Sequence, residues 1–450
     1  MKSRHSLPFR GVSLVVAATT LFWSVPVHAA DLPAGYQAVA GNSSYEVSAD
    51  GLVGNLNAAD QVTVGNWSEG FNIGSSNTFN ALLPSDGAHL SRDITSNPSE
   101  IFGALNVPQG RFFLVNSNGI YFSPSASVNA AGLVASTLNI SDQDFLNANY
   151  KFFQGSNPAS LVNAGEMNIG PGGVALLGGS VENLGIIQAN ESSVNLAGGK
   201  EMTLSFDNQG LVSVLVDKGV AEKVFDPNGA EVADGASNSG IIRANGGKVY
   251  MTAEAAKDVF GKLVNNSGTI EANTVVNHNG VIELVSNTSE GIVSNSGTLN
   301  AKGDNSGEKG GTIKVLGEKV GLFGGEVNVS GDAGGGTALI GGDFQGKNPD
   351  VRNASRTFVS SDASIKADAL TSGDGGKIIV WSDEITRFGG SISSRGGNLS
   401  VGNGGFAEIS GKQLLQYDGT VDMGAVHGIG GTVLFDPNNI TISTGADAFT

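Results

Sequence analysis

The tripeptide Asn-x-Gly, returning through the middle of this chain, constrains its fold more than any other feature. It stands at Asn163-Ala-Gly165, Asn183-Leu-Gly185, Asn208-Gln-Gly210, Asn238-Ser-Gly240, Asn266-Ser-Gly268 and Asn295-Ser-Gly297, at intervals of 20, 25, 30, 28 and 29 residues. A loose period of roughly 20 to 50 residues marks a stacked repeat array. After each motif, apolar residues alternate with mostly polar ones: Met167 and Ile169, Ile187 and Ala189, Val212 and Val214, Ile242 and Ala244, Ile270 and Ala272, Leu299 and Ala301. Period-two alternation sends successive side chains to opposite faces, so each segment reads as a strand with one buried and one wet side.

A second family of strands follows paired glycines. Gly246-Gly247 leads to Val249 and Met251, Gly310-Gly311 to Ile313 and Val315, Gly375-Gly376 to Ile378 and Val380, and Gly430-Gly431 to Val433 and Phe435. Gly and Asn suit corners because both enter the left-handed backbone region at low cost. One short strand cannot bury its apolar face, whereas coils stacked about 4.8 Å apart pair their backbones and share a continuous core. The pattern therefore predicts an all-β fold, a right-handed parallel β-helix (solenoid), with about 10 to 14 rungs from residues 161 to 440. The alternatives, a β-sandwich or a propeller, usually show tighter turn spacing or a blade signature.

An open coil exposes strand edges that invite association unless covered. Residues 31–160, richer in Phe and Pro and without the Asn-x-Gly beat, read as an amino-terminal β cap followed by the first rungs. At the far end, Asp436-Pro-Asn-Asn-Ile-Thr-Ile-Ser ends in a strand with nothing to shield it, so the chain is expected to be a truncated piece of a longer protein.

The first residues carry Lys2, Arg4 and Arg10, then a short apolar run, then Val27-His28-Ala29. That order predicts a secretory signal peptide over residues 1–29. The apolar run is too short and interrupted for a transmembrane anchor, and no later segment supplies a transmembrane segment. The formal charge is −17, so nucleic acid and anionic lipid, which are held by clustered Lys and Arg, are poor partners. With no Cys, stability must come from burial and backbone pairing.

Three segments carry a family resemblance. Asn97-Pro98-Ser99-Glu100-Ile101-Phe102-Gly103-Ala104-Leu105 is followed by Phe113-Leu114-Val115-Asn116-Ser117-Asn118-Gly119-Ile120-Tyr121-Phe122 and then by Gly132-Leu133-Val134-Ala135-Ser136-Thr137-Leu138. They resemble, in order and spacing, the haemagglutination-activity (two-partner secretion) domain of the filamentous haemagglutinin family. Later blocks, Leu339–Gly346, Gly376–Asp383 and Gly431–Pro437, are similar to segments of its larger members. Where the family hallmark Asn-Pro-Asn-Gly-Ile has proline, this chain has Ser117, which removes one backbone restriction but keeps a turn-compatible residue.

The resemblance implies a secreted or cell-surface exoprotein acting in adhesion. It implies a partner, an outer-membrane β-barrel translocator whose periplasmic polypeptide-binding domains take the chain while it is extended. Asn97, Pro98, Asn116, Asn118, Gly119 and Ile120 are the residues expected to carry partner-channel recognition, with turn formation as their other reading. On that basis residues 30–160 hold the cap and the start of the secretion domain, 161–290 the rest of it, and 291–450 continuing repeats. The alternatives are a secretion domain carrying a distal cytolysin, haem-acquisition or contact-dependent toxin activity, and a β-helical polysaccharide-degrading enzyme. The receptor, whether host or bacterial surface protein or glycan, is not legible.

Catalysis is not expected. Glycoside hydrolysis wants two carboxylates facing one bond, whereas Asp362, Asp374, Asp383, Glu384 and Glu408 are scattered along the repeats and read as a solvated outer face. No cofactor or metal is expected: the five His are isolated, and the near phosphate-loop Gly341–Asn348 puts Asn348 where a Ser or Thr would hold a metal. The Gly-Asp pairs Gly331-Asp332 and Gly373-Asp374 read as corner turns rather than calcium ligands.

Overall fold

The computed structural model describes residues 32–207, 212–226, 229–275 and 278–437, so the signal peptide expected over residues 1–29 and the motif residue Asn208 lie outside the described residues. Three long sheets run side by side along a coil: sheets A and B have 14 strands each and sheet C has 11. One turn visits C, B and A in that order. Thus Ser160–Asn163, Glu166–Ile169 and Val174–Gly178 are followed one rung on by Ser180–Asn183, Ile186–Gln188 and Ser193–Gly198. Pairing between rungs is parallel and in register, with Asn163 opposite Asn183, Met167 opposite Ile187 and Leu176 opposite Leu196.

The alternation read from the sequence is what fills the coil. Met167, Ile187, Ile242, Ile270 and Leu299 point inward from sheet B, and Val249, Met251, Ile313, Val315, Ile378 and Val380 from sheet A, all fully buried in one continuous core. Each such side chain contributes about 1.5 to 3 kcal/mol by leaving water, which is how a chain without disulfides holds together. The chain is a parallel β-helix with an amino-terminal β cap.

The cap is short. Tyr36–Ala40 and Ser43–Val47 run antiparallel to Val62–Trp67 and Val53–Ala58, and parallel rungs begin at once from those two partners. Tyr36 and Tyr45 lie over Gly65 and Gly54, where any Cβ would collide with their rings, and both pack on Trp67 with ring centroids 4.8 Å away.

From residue 160 onward sheet A has nine strands among the described residues, fewer than the 10 to 14 rungs expected there. The chain instead spends length on covers outside the coil. Lys151–Phe153, Glu201–Phe206 and Val212–Lys218 form a three-stranded antiparallel sheet, and with helix α1 (Asp142–Leu146) it lies on the outer face of sheet A. Val212 and Val214 pair antiparallel with Phe206 and Leu204, so the strand after Asn208-Gln-Gly210 belongs to a hairpin and not, as its alternation suggested, to a rung. The true neighbour of Asn183 is Asn238. A hairpin is needed here because sheet A is apolar on both faces: Phe113, Val134 and Leu177 point outward and are fully buried against Phe152, Met202 and Leu204. Further along, the loop 341–354 covers Leu339, Ile379 and Trp381 in the same way.

The repeat glycines serve a different purpose from the one expected. Gly165, Gly185, Gly240, Gly268 and Gly297 do not adopt positive φ. Instead, a Cβ at Gly240 would fall on the carbonyl oxygen of Gly185, one at Gly268 on that of Gly240, and one at Gly297 on that of Gly268. The corner is glycine because successive rungs approach too closely for any side chain.

Candidate functional site

The six residues singled out for partner recognition come together at one corner of the coil. Ser99–Ile101 and Ile120–Phe122 are the first two strands of sheet C, so this corner is where the coil gains its third face. Ile120 is a core residue, 2 % exposed, paired with Ser99 on one side and Leu161 on the other.

Asn116 organises the corner. Its amide is completely buried, and Nδ2 donates to the Asn97 carbonyl and to Ser99 Oγ, both at 2.9 Å. Its Oδ1 accepts from the Asn118 backbone N–H at 2.9 Å, and its carbonyl accepts from the Gly119 N–H at 3.2 Å, which closes a four-residue turn. Ser117 occupies the second position of that turn, so the turn forms without the family proline. Gly119 is the residue with positive φ, +123°, and its open side faces Pro98. Asn118 is exposed, but its Nδ2 reaches back to the Thr95 carbonyl at 2.8 Å. Asn97 is exposed and contributes mainly its carbonyl.

Sequence reasoning missed the carboxylate at the centre of this corner. Asp93, 5 % exposed, accepts from the Phe71 N–H at 2.8 Å, Ser99 Oγ at 3.0 Å, the Thr95 N–H at 2.9 Å and Thr95 Oγ1 at 2.7 Å. Four donors satisfy a buried charge that would otherwise be costly. The signal was present as Asp93-Ile-Thr95, an acidic residue two before a hydroxyl, which is a turn pattern. The neighbouring Arg92 ties in the cover, with an ion pair to Asp142 at 2.7 Å and a hydrogen bond to the Ile140 carbonyl at 2.7 Å.

The carboxylates weighed for catalysis are engaged separately. Asp383 accepts from Trp381 Nε1 at 3.2 Å, Glu384 pairs with Arg356 at 3.4 Å, Asp374 accepts from the Asn403 N–H at 2.7 Å and Asp362 from Ser360 Oγ at 2.5 Å. Glu408 does not lie on a solvated face: it is fully buried beneath the loop 341–354, where Oε2 accepts from the Gln345 N–H at 3.0 Å and burial raises its pKa. The loop Gly341–Asn348, which imitated a phosphate-binding sequence, contains a single 3-10 turn, Phe344–Gly346, capped by Asp343. Asp332 likewise holds a corner, accepting from the Gly307 N–H at 2.7 Å. Among the described residues no group of three or more His, Asp or Glu is placed to hold a metal ion, and no helix is long and apolar enough to cross a membrane.

A capped parallel β-helix with a buried asparagine corner at its third face and an antiparallel cover on sheet A defines a class of capped β-solenoids. Within it, the TPS secretion domain family matches residues 37–315, and the chain belongs to that family. The crystal structure of the HMW1 secretion domain from Haemophilus influenzae is similar over 89 % of this chain and 100 % of that one, with 27 % identity and a TM-score of 0.73. Two proteins from Haemophilus influenzae, each named heme/hemopexin-binding protein, are also similar. One is 28 % identical over 311 residues, covering 66 % of this chain and 31 % of that protein; the other is 23 % identical over 296 residues, covering 61 % and 30 %. The chain thus spans about a third of the length of these curated relatives. Family exoproteins are secreted through the outer membrane with a dedicated partner there.

Proposed function

We propose that this chain is the amino-terminal, export-directing part of a two-partner secretion exoprotein. After removal of residues 1–29 it is taken in extended form by the periplasmic polypeptide-binding domains of an outer-membrane β-barrel translocator, and it folds outside the cell. The observation that carries this reading is the buried state of Asn116, whose side chain is bonded wholly to its own chain. Its donors and acceptors are open to a partner only while the corner is unfolded. Strand addition to an extended segment offers such a mode of recognition, with the backbone giving affinity and alternate side chains specificity. Folding then withdraws the signal, and each added rung buries more apolar surface, so return through the channel becomes unfavourable without any external energy source.

For the exported body, the haem-acquisition reading is supported by the two similar heme/hemopexin-binding proteins, and on it the protein binds haem or a haem carrier without catalysis. Adhesion is the second reading, favoured by the exposed aromatic face of sheet C at Phe323 and Phe358.

Expression with and without the neighbouring channel, followed by assay of the medium, tests the export reading: secretion should require the channel. The double variant Asn116→Ala/Asn118→Ala and the milder Asn118→Ala should still refold in vitro, by circular dichroism, yet reach the medium poorly. Refolding together with normal secretion would reduce these residues to turn formers. Haemin titration of the secreted protein, followed by absorbance, and capture on immobilised hemopexin separate haem acquisition from adhesion.

A further inference from the structure

The outer face of sheet C carries an exposed platform that neither export nor core packing explains. In the column Gly321, Phe358, Arg387, Gln416, each residue lies opposite the next on successive rungs. Gly321 has no side chain to fill its place, and the ring of Phe323 folds over it, where a Cβ would collide with that ring. Phe323 and Phe358, 48 % and 38 % exposed, then stand with ring centroids 5.4 Å apart at 35°. Two open hollows of about 310 and 330 Å3 flank this pair, and Phe358 and Arg387 line both. They form one groove running across the rungs.

The charge of the groove runs against that of the chain. The whole sequence is −17, yet Lys319, Arg356 and Arg387 line the groove. Among the described residues Lys319 and Arg387 have no ion-pair partner, and Arg356 meets Glu384 only at 3.4 Å on an open surface, a contact worth little. Gln416, Ser360 and Ser361 add neutral polar groups at the far end, and Asp418 there is one carboxylate against the three cations. Flat aromatic rings left in water, beside an unpaired guanidinium and hydroxyl or amide groups, match a ligand with apolar C–H faces, many hydroxyls and a negative charge.

We propose that this groove binds an acidic saccharide, a glycan bearing a carboxylate sugar. The rings of Phe323 and Phe358 take the C–H faces of successive pyranose units. Arg387 takes the carboxylate through paired N–H donors, the geometry for which a guanidinium is suited. Lys319 adds attraction at one end and Gln416 a hydroxyl contact at the other. A peptide strand is disfavoured, because strand addition needs a sheet edge, whereas Phe358 and Arg387 stand on strands paired on both sides and only Gln416 lies on an edge strand, Leu414–Tyr417. An anionic bilayer is disfavoured by the net charge of the chain. The proposal is independent of the export route.

The test is titration of the purified full-length secreted chain with 3′-sialyllactose, tetragalacturonate and neutral lactose, read by saturation-transfer NMR and calorimetry. At least one acidic sugar should bind saturably, about tenfold more tightly than lactose, a difference of about 1.4 kcal/mol. Phe358→Ala and Arg387→Gln should each weaken it about tenfold or more, and Arg387→Lys should recover only part of the loss. Both side chains are solvent-exposed, so unchanged thermal melts will show that the variants fold. Three results would overturn the proposal: no saturable binding of either acidic sugar, binding indifferent to Phe358 and Arg387, or concentration-dependent self-association abolished by Phe358→Ala, which would make the groove an interface between copies.

Discussion

The asparagines of the repeat form a ladder inside the coil. Asn163 donates to Asn183 at 2.8 Å, Asn183 to Asn238 at 2.7 Å, Asn238 to Asn266 at 2.8 Å and Asn266 to Asn295 at 2.7 Å, each amide linked to the next rung. The column begins after Phe122 and ends before Leu322, so apolar side chains close it at both ends. Aligned amides in a dry interior polarise one another, and a gap leaves buried groups unpaired. Asn238→Ala should therefore cost about 2 to 4 kcal/mol, since it strands the partner groups of both Asn183 and Asn266. Asn163→Ala, at the end of the ladder, should cost about half as much. Hydrogen exchange checks this locally: protection should fall most in the rungs around residue 238, and equal losses for the two variants would argue against a linked ladder. His89 gives the residue scale a pH dependence. It is fully buried against Thr63 Oγ1 at 2.7 Å, and burial pushes its pKa down to about 3. The unfolded chain takes up this proton below pH ~6.5 while the fold refuses it. The contribution of His89 is intact above pH ~6.5 and declines by about 1.4 kcal/mol per unit from there toward pH 3. Between pH 6.5 and pH 5 that is about 2 kcal/mol, and His89→Asn should lose this part of the acid sensitivity. An identical fall in the urea midpoint for both proteins would exclude His89 as its source.

Among the elements, the strands of sheet B were legible because one face is wet and the other dry, so composition alternates residue by residue. The earliest rungs were read only as a stretch following the cap, with no strands assigned, because the ladder position there is held by Phe122. Another column marks them: Asn55, Asn80, Asn106, Asn129 and Asn168 lie on the outer side of sheet B, with hydrogen bonds of 2.9 to 3.4 Å from rung to rung. Its spacing was available in the sequence. The hairpin was misread for a physical reason: Val212, Val214 and Val216 alternate as a rung strand does, and only the long-range contact decides which surface they bury. The clue lay in the partner face. Phe112-Phe113-Leu114-Val115 and Val174-Ala175-Leu176-Leu177 are unbroken apolar runs, as expected of strands covered on both sides. The six residues chosen by motif meet at one corner of the coil, while its central Asp93 escaped because a single acidic residue at the end of the strand Ala88–Asp93 carries no local mark of burial. The cover makes its own prediction. Phe152 is 1 % exposed and its neighbour Phe153 is 42 % exposed on the same strand. Phe152→Ala should cost about 3 to 5 kcal/mol and release exchange protection in Glu201–Phe206 and Val212–Lys218 while rungs such as Thr312–Leu316 keep theirs. Phe153→Ala should do neither. If Phe152→Ala instead loosened the whole coil, cover and coil would be one cooperative unit.

At the scale of the whole molecule, stability is the sum of rungs and of the contacts between neighbouring rungs, so the ends matter more than in a globular domain. The cap is where this is tested. Tyr36 and Tyr45 close the core over Trp67 and Phe79, and the two antiparallel strands occupy the edges of Val53–Ala58 and Val62–Trp67. Without them a parallel edge with aromatic core behind it meets solvent, an arrangement that recruits strands from other molecules. Net charge pulls the other way, since a chain at −17 repels its own copies. Repulsion between dispersed charges is screened beyond about 10 Å at ordinary salt, whereas edge pairing acts at contact distance, so edge pairing should win. A protein starting at residue 53 should keep its β signal by circular dichroism yet associate in light scattering, more strongly as salt rises. Tyr36→Ala/Tyr45→Ala, which keeps the strands and removes the aromatic lid, should lower thermal stability while staying monomeric. A truncated chain that remained monomeric with an unchanged melt would show that the first rung closes itself and that the cap serves another purpose.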